Sequence, residues 1–241
     1  MSTKYGFKDI LVGEPWPPTP EGAVRRDIAE SLRAITDRLV RMDAPQAELE
    51  DYAARLRSLR DDIAPWPRRP QGALLQRLMD GQGSHQDVLD LMDHEIMTGR
   101  ASVLAPPLDL WLDGDVVRGR AELGLAWQGP PGRVHGGVIA LMMDILLAKT
   151  QDLVGGIGMT GTLSLRYVAG TPLKTPIDME ARVREVKGRK LIAEARFIVN
   201  GETTVTAEGI WICARGEYGP VRTRTSVAPL AEAMPESRQE S

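Results

Sequence analysis

The sequence is poor in the residues that carry most metal, redox and disulfide chemistry. It holds one cysteine, Cys213, and three histidines in 241 residues. A single thiol cannot close an intrachain disulfide, so the fold does not depend on an oxidising compartment. His85 and His94 are nine residues apart and point about 180° from each other on one helix, which is wrong for a shared metal. There is no basic excess either: 30 Lys and Arg stand against 33 Asp and Glu, a net charge of −3. That balance leaves no electrostatic footprint for nucleic acid. Long apolar runs are missing. The most apolar stretch, Val138–Leu147, is broken by Asp144 and falls far short of the roughly 20 residues of a membrane helix. The first eighteen residues have no apolar segment of secretory type, so a soluble, cytoplasmic protein is expected. No G-x-S-x-G elbow of a serine hydrolase occurs. Gly156-Ile157-Gly158-Met159-Thr160-Gly161 formally matches a dinucleotide fingerprint, but it follows a helix and opens a strand, the reverse of what that fingerprint needs.

What is present divides into a helical and a stranded part. Residues 1–20 are proline-rich and read as an irregular arm. A helix then opens with Thr19 as N-cap and Pro20 in the first turn, where a missing N–H costs nothing. Its apolar positions, Val24, Ile28, Leu32, Ile35, Leu39 and Met42, follow spacings of 4, 4, 3, 4 and 3 and form a stripe. After a break at residues 43–46, where Asp43 and Gln46 have capping-box spacing, a second stripe runs through Leu49, Tyr52, Leu56, Leu59 and Ile63. Two such helices joined by a short break should fold back on each other and dock their stripes on the rest of the chain or on a second chain. Residues 65–72, Pro-Trp-Pro-Arg-Arg-Pro-Gln-Gly, read as a linker, and a third helix is expected from Ser84 to Gly99 with Asp87 completing its cap. The helical extension is thus placed at 1–95.

From about residue 108 the period changes to two. Val117–Trp127, Ile177–Val183, Leu191–Val199 and Val205–Cys213 alternate apolar and polar positions, the mark of antiparallel strands with one wet face. Lys187-Gly188 and Asn200-Gly201 are hairpin signals. One helix, about Gly136–Thr150, interrupts a set of about five strands. This α+β unit is placed at 96–216, with 217–241 as a flexible tail.

The interrupting helix is the informative element. It is apolar all round, which marks a buried helix, yet it carries Asp144 as its only charge between His135 and Lys149. A carboxylate in such a place is costly unless it is hydrogen-bonded, and it is a candidate base. It is equally readable as a buried Asp that only bonds a nearby backbone or hydroxyl group. The helix is entered through Gln128-Gly129-Pro130-Pro131-Gly132 and then His135-Gly136-Gly137. Helix N-termini present unpaired N–H groups and a positive dipole end, and glycines admit a ligand close to them, a suitable place to stabilise an oxyanion.

Residues 129–144, Gly-Pro-Pro-Gly-Arg-Val-His-Gly-Gly-Val-Ile-Ala-Leu-Met-Met-Asp, resemble the hotdog-fold acyl-CoA thioesterases, nearest the PaaI-like and thioesterase-superfamily-member branch. Residues 158–167, 188–190 and Ala207-Glu208-Gly209 extend the resemblance to about 96–215. It implies a hotdog fold, an antiparallel sheet wrapped around one long helix, and hydrolysis of an acyl-CoA thioester. It further implies Gly136 as the N–H donor to the thioester carbonyl, Asp144 as base or nucleophile, Thr160 as a helper on the next strand and His135 in support. Gly137, Thr162, Arg189 and Lys190 are candidate substrate contacts. Thr162 is also a rival for the role of Thr160, and the two basic residues suit either coenzyme A phosphates or a solvated turn. No metal or redox cofactor is implied, coenzyme A entering only as part of the substrate. The resemblance also implies a homodimer, which in such enzymes often pairs into a tetramer. The alternatives are a non-catalytic hotdog module that binds acyl-CoA, an interaction protein working through its helical extension, and a hotdog dehydratase, whose proline-rich loop after the His is missing. Trp111, Trp127 and Trp211 could line an acyl pocket but suit core packing better, as does Cys213.

Overall fold

The computed structural model describes residues 19–67, 71–94 and 97–225. The proline-rich arm before Thr19, part of the 65–72 linker, Ile96 and the tail beyond residue 225 lie outside the described residues. Among the described residues four helices come first: α1 (Pro20–Leu39), α2 (Gln46–Ile63), α3 (Gln71–Met79) and α4 (His85–His94). They are followed by β1 (Leu108–Gly114), β2 (Val116–Ala121), α5 (Gly136–Ala148), β3 (Gly158–Tyr167), β4 (Ile177–Lys187), β5 (Lys190–Val199), β6 (Glu202–Cys213) and the short β7 (Arg224–Thr225). No described helix is long and apolar enough to cross a membrane.

The strands form one antiparallel sheet in the order β3-β6-β5-β4-β2-β1-β7. The sheet wraps around α5, whose Ile139, Met142, Met143, Leu146 and Leu147 are buried against inward residues such as Met179, Phe197 and Trp211. This is the hotdog arrangement. Among the described residues seven strands replace the five expected, because Leu108–Gly114 and Arg224–Thr225 also pair. The alternation from Val117 carries strand structure only to Ala121, and Leu125–Trp127 forms a single 3₁₀ turn. The outward side chains form ion pairs across strands, with Glu180 accepting from Arg118 and Arg196, and Arg184 meeting Glu208. Asn200 and Gly201 both have positive φ, 51° and 83°, as a two-residue hairpin turn of this kind demands. Gly209, in the Ala207-Glu208-Gly209 segment, lies beneath the Trp211 ring, where a Cβ would sit 2.1 Å from a ring carbon.

Three further expectations need correction. Residues 217–225 belong to the fold: Tyr218 is buried and its hydroxyl donates to Gln151 Oε1 at 2.8 Å, Gly219 N–H reaches Val154 O, and β7 adds to the sheet. The capping box at Asp43 and Gln46 does not form, since Pro45 is the N-cap of α2 and no side chain caps it. The box at Ser84 does form, Asp87 N–H donating to Ser84 Oγ and Ser84 N–H to Asp87 Oδ2.

The third correction concerns the face by which α1 docks. Thr19 caps it as expected, accepting from Gly22 N–H at 3.0 Å. The face turned to the body, however, is the one bearing Gly22, Arg26, Ala29, Arg33 and Asp37. Gly22 and Ala29 are buried, Arg26 pairs with Asp93 at 2.6 Å, Arg33 donates to the carbonyls of Arg100 and Ser102, and Asp37 accepts from Ala126 N–H at 2.9 Å. The apolar stripe is on the other side. Val24, Ile28, Ile35 and Leu39 are between 45% and 60% exposed, and α2 buries no residue at all.

Candidate active site

The loop before α5 fixes where the helix begins. Gly129 N–H donates to Arg133 O, Arg133 N–H to Pro130 O, and Gly132, at φ +73°, donates to Gln128 Oε1. His135 N–H reaches Trp127 O at 2.9 Å, which sets His135 as the N-cap. Its Nδ1 accepts from Gly137 N–H at 3.0 Å. An Nδ1 that accepts this bond corresponds to the ring tautomer with its N–H at Nε2.

This cap distinguishes the two glycines. Gly137 N–H is taken by His135, whereas Gly136 N–H has no acceptor among the described residues. Gly136 therefore keeps the free donor at the positive end of the helix dipole. Its carbonyl accepts from the Tyr167 hydroxyl at 2.9 Å, and a Cβ on Gly136 would sit 3.4 Å from that hydroxyl. Tyr167 had no role in the sequence reading although it closes the 158–167 segment. Its contact spans 31 residues, from the last residue of a strand to the first turn of a helix, which no local pattern encodes.

Asp144 lies two turns further along and is half-buried rather than fully buried, because one side of α5 is left uncovered by the sheet. Val138, Leu141, Ile145 and Ala148 lie along that side, also partly exposed. Thr160 Oγ1 donates to Asp144 Oδ1 at 2.9 Å. Thr162 does not share this position, and the reason lies in the strand. A bulge at Gly161 shifts the register, so Thr160 pairs with the buried Trp211 while Thr162 pairs with Ile210 on the opposite face. Directly paired residues share a face, and one inserted residue turns Thr162 away from the helix.

Arg189 and Lys190 occupy the β4–β5 turn. Arg189 donates to Cys213 O at 2.9 Å and Lys190 is exposed, and among the described residues neither side chain hydrogen-bonds Asp144. Their turn is at the end of the sheet that also holds Gly158 and Thr160, two strands away from β3. Trp211 and Cys213 are core residues, about 1% exposed.

No profile of a known family matches the sequence. The mouse acyl-coenzyme A thioesterase THEM4 is 33% identical over 85 residues, and a yeast (Saccharomyces cerevisiae) protein named MIOREX complex component 3 is 38% identical over 79. The match spans 35% of this chain and 36% of the mouse protein, and 32% and 28% in the yeast case, so about a third of each curated relative is covered. Far more is shared with the crystal structure of the thioesterase superfamily protein RHA08564. It is 31% identical with a TM-score of 0.67, over 82% of this chain and 97% of that one. The helix-wrapping sheet, the glycine-opened central helix and this near full-length likeness together show that the chain belongs to the thioesterase superfamily, in its hotdog-fold form.

Proposed function

We propose that the protein is an acyl-CoA thioesterase, hydrolysing an acyl-CoA to the free acid and coenzyme A. The observation that carries this reading is the pairing, on one helix, of a free N–H at Gly136 with a carboxylate at Asp144 held by Thr160. The Gly136 donor suits a thioester oxygen that gains negative charge as its carbon becomes tetrahedral. Asp144 takes the proton of a water that attacks that carbon, and the C–S bond breaks to release coenzyme A as a thiolate, which takes up a proton. In the alternative route the Asp144 carboxylate attacks first, giving an acyl anhydride that water then opens. His135 holds Gly137 N–H and so keeps the first turn in shape. Tyr167 anchors the Gly136 carbonyl. Arg189 and Lys190 remain candidates for the phosphates of coenzyme A.

The site is shared between two chains of a homodimer. Gly136 and Asp144 are eight residues apart, about 12 Å along the axis, while an attacking water must come within about 3.5 Å of the carbonyl carbon. The uncovered stripe of α5 and the free edge of β3 support a second copy at this place. β3 is the outermost strand, ten residues long with Arg166 as its only charge, an edge lacking the usual defences against pairing. Two α5 helices running antiparallel across a two-fold axis bring Asp144 of one chain toward Gly136 of the other, and further pairing would give a tetramer.

Hydrolysis of short, long and aromatic acyl-CoAs by the wild type and Asp144→Asn tests the reading. The variant keeps shape and loses the base, so kcat is expected to fall by about 10² or more. A folded Asp144→Asn with wild-type turnover contradicts the assignment. A second reading, a non-catalytic member that binds acyl-CoA or works within a complex, is favoured by the name of the yeast relative. It predicts acyl-CoA binding with no turnover by the wild type.

A further inference from the structure

From the exposed stripes of α1 and α2 we infer that this pair of helices is an interaction arm whose partner is a second copy of this chain, held stripe to stripe. Three observations converge on it. First, α1 is docked on its own body through its polar and small residues, so its amphipathic pattern is not satisfied among the described residues. A helix that had evolved to pack only on this body would turn the stripe inward. Second, α2 is an 18-residue helix with no buried residue. In proteins most helical stability comes from packing an amphipathic face against other structure, and among the described residues α2 lacks that cover.

Third, the amount of surface fits a protein partner. Nine large apolar side chains of the two helices, from Val24 in α1 to Ile63 in α2, are each between 38% and 60% exposed. At roughly half exposure, nine such side chains leave an area on the order of the ~800 Å² that each partner buries in a standard interface. Monomers rarely leave more than a few hundred Å² of such surface in one patch. The helices do not fill the space between them. They flank a largely apolar groove of about 440 Å³ whose walls include Ile35, Leu39, Tyr52 and Leu56 together with Arg38 and Arg55. A groove with its own apolar ridges on both sides is complementary to a copy of itself, which is what an isologous two-fold contact requires. Two such pairs interleave as a four-helix bundle, the smallest assembly in which all four stripes face inward.

The arm is rooted beside the catalytic loop. Arg41, just after α1, donates to Gln128 Oε1 at 2.8 Å, and the same oxygen accepts from Gly132 N–H in the loop that leads to His135. The arm contact is nonetheless separate from the α5 and β3 surfaces and does not rest on the thioesterase reading.

Sedimentation equilibrium of the full chain over a wide concentration range tests this. The comparison is between the wild type, Leu39→Glu combined with Leu56→Glu, and Ala54→Glu on the opposite face of α2. Leu39 and Leu56 are exposed within the chain, so the double substitution leaves the fold intact, which near-UV circular dichroism checks. The expected result is that the double variant associates at least about 10²-fold more weakly or to half the stoichiometry, while Ala54→Glu matches the wild type. Equal association of wild type and double variant, or a monomeric wild type, overturns the inference. So does a monomeric wild type that co-sediments with phosphatidylcholine–phosphatidylglycerol vesicles when the double variant does not, because the groove would then be a membrane-facing surface.

Discussion

The central helix and the first two helices are both built from regular apolar spacing, yet they do opposite things with it. α5 carries apolar residues on every side, so whatever face it turns to the sheet buries them: Met142, Met143, Leu146 and Leu147 have no exposure. α1 has a narrow stripe and a polar face, and specific ion pairs and backbone contacts from Arg26, Arg33 and Asp37 decide which of the two meets the body. An apolar stripe therefore says that a helix must be covered. It does not say by what.

The difference predicts very unequal costs for the same substitution. Leu147→Ala removes a wholly buried side chain and should destabilise the chain by about 2–5 kcal/mol, as core truncations do. Leu59→Ala, at a position 48% exposed, should cost under about 0.5 kcal/mol in a dilute, unassociated chain. Urea unfolding of both variants at low protein concentration checks this, and equal losses would erase the distinction between the two regions. Within the site, Thr160→Val should lower kcat by roughly 10-fold through loss of one hydrogen bond to a charged group. Thr162→Val, on the far face of β3, should leave kcat within about 2-fold. The reverse order in steady-state kinetics would move the site to the other threonine.

The smallest effect is expected in the helical part. The Arg77 guanidinium, with the Ser84 N–H and hydroxyl adding to it, holds the Asp87 carboxyl down from 3.8 to about 2. A carboxylate depressed in the folded state contributes stability above its unfolded pKa and loses it as pH falls through the folded value. That contribution should be complete above about pH 4 and fade toward pH 2. The pH dependence of unfolding should flatten over this window in Asp87→Asn.

Much of the body was legible because its signals are local and redundant. The period-two strands, the Asn200-Gly201 turn and the glycine entry to α5 each state one piece of structure within a few residues. Thr160 could be read only as one of two threonines, since the choice depends on a bulge at Gly161 that shifts the pairing with β6. Tyr167 was invisible as a site residue because its partner is a backbone carbonyl on another element. In the helical part, Thr19 and Ser84 caps were readable from spacing, whereas Asp43 failed because Pro45 takes the N-cap position. The docking face of α1 was not readable at all. Its ion pair with Asp93 joins residues 67 apart, and charge on a helix surface carries no label for its partner.

The central claim is that the free N–H of Gly136 and the carboxylate of Asp144 act together across two chains. The direct measurement mixes two inactive variants. Gly136→Pro deletes the donor at a helix position where proline is otherwise tolerated, and Asp144→Asn deletes the base. Acyl-CoA hydrolysis is measured for each alone and for an equimolar mixture after exchange of chains has been shown by mass. The account predicts that each variant alone is inactive and that mixed dimers recover one working site of two. No recovery from exchanged chains, or full activity in a wild type that is monomeric, contradicts it.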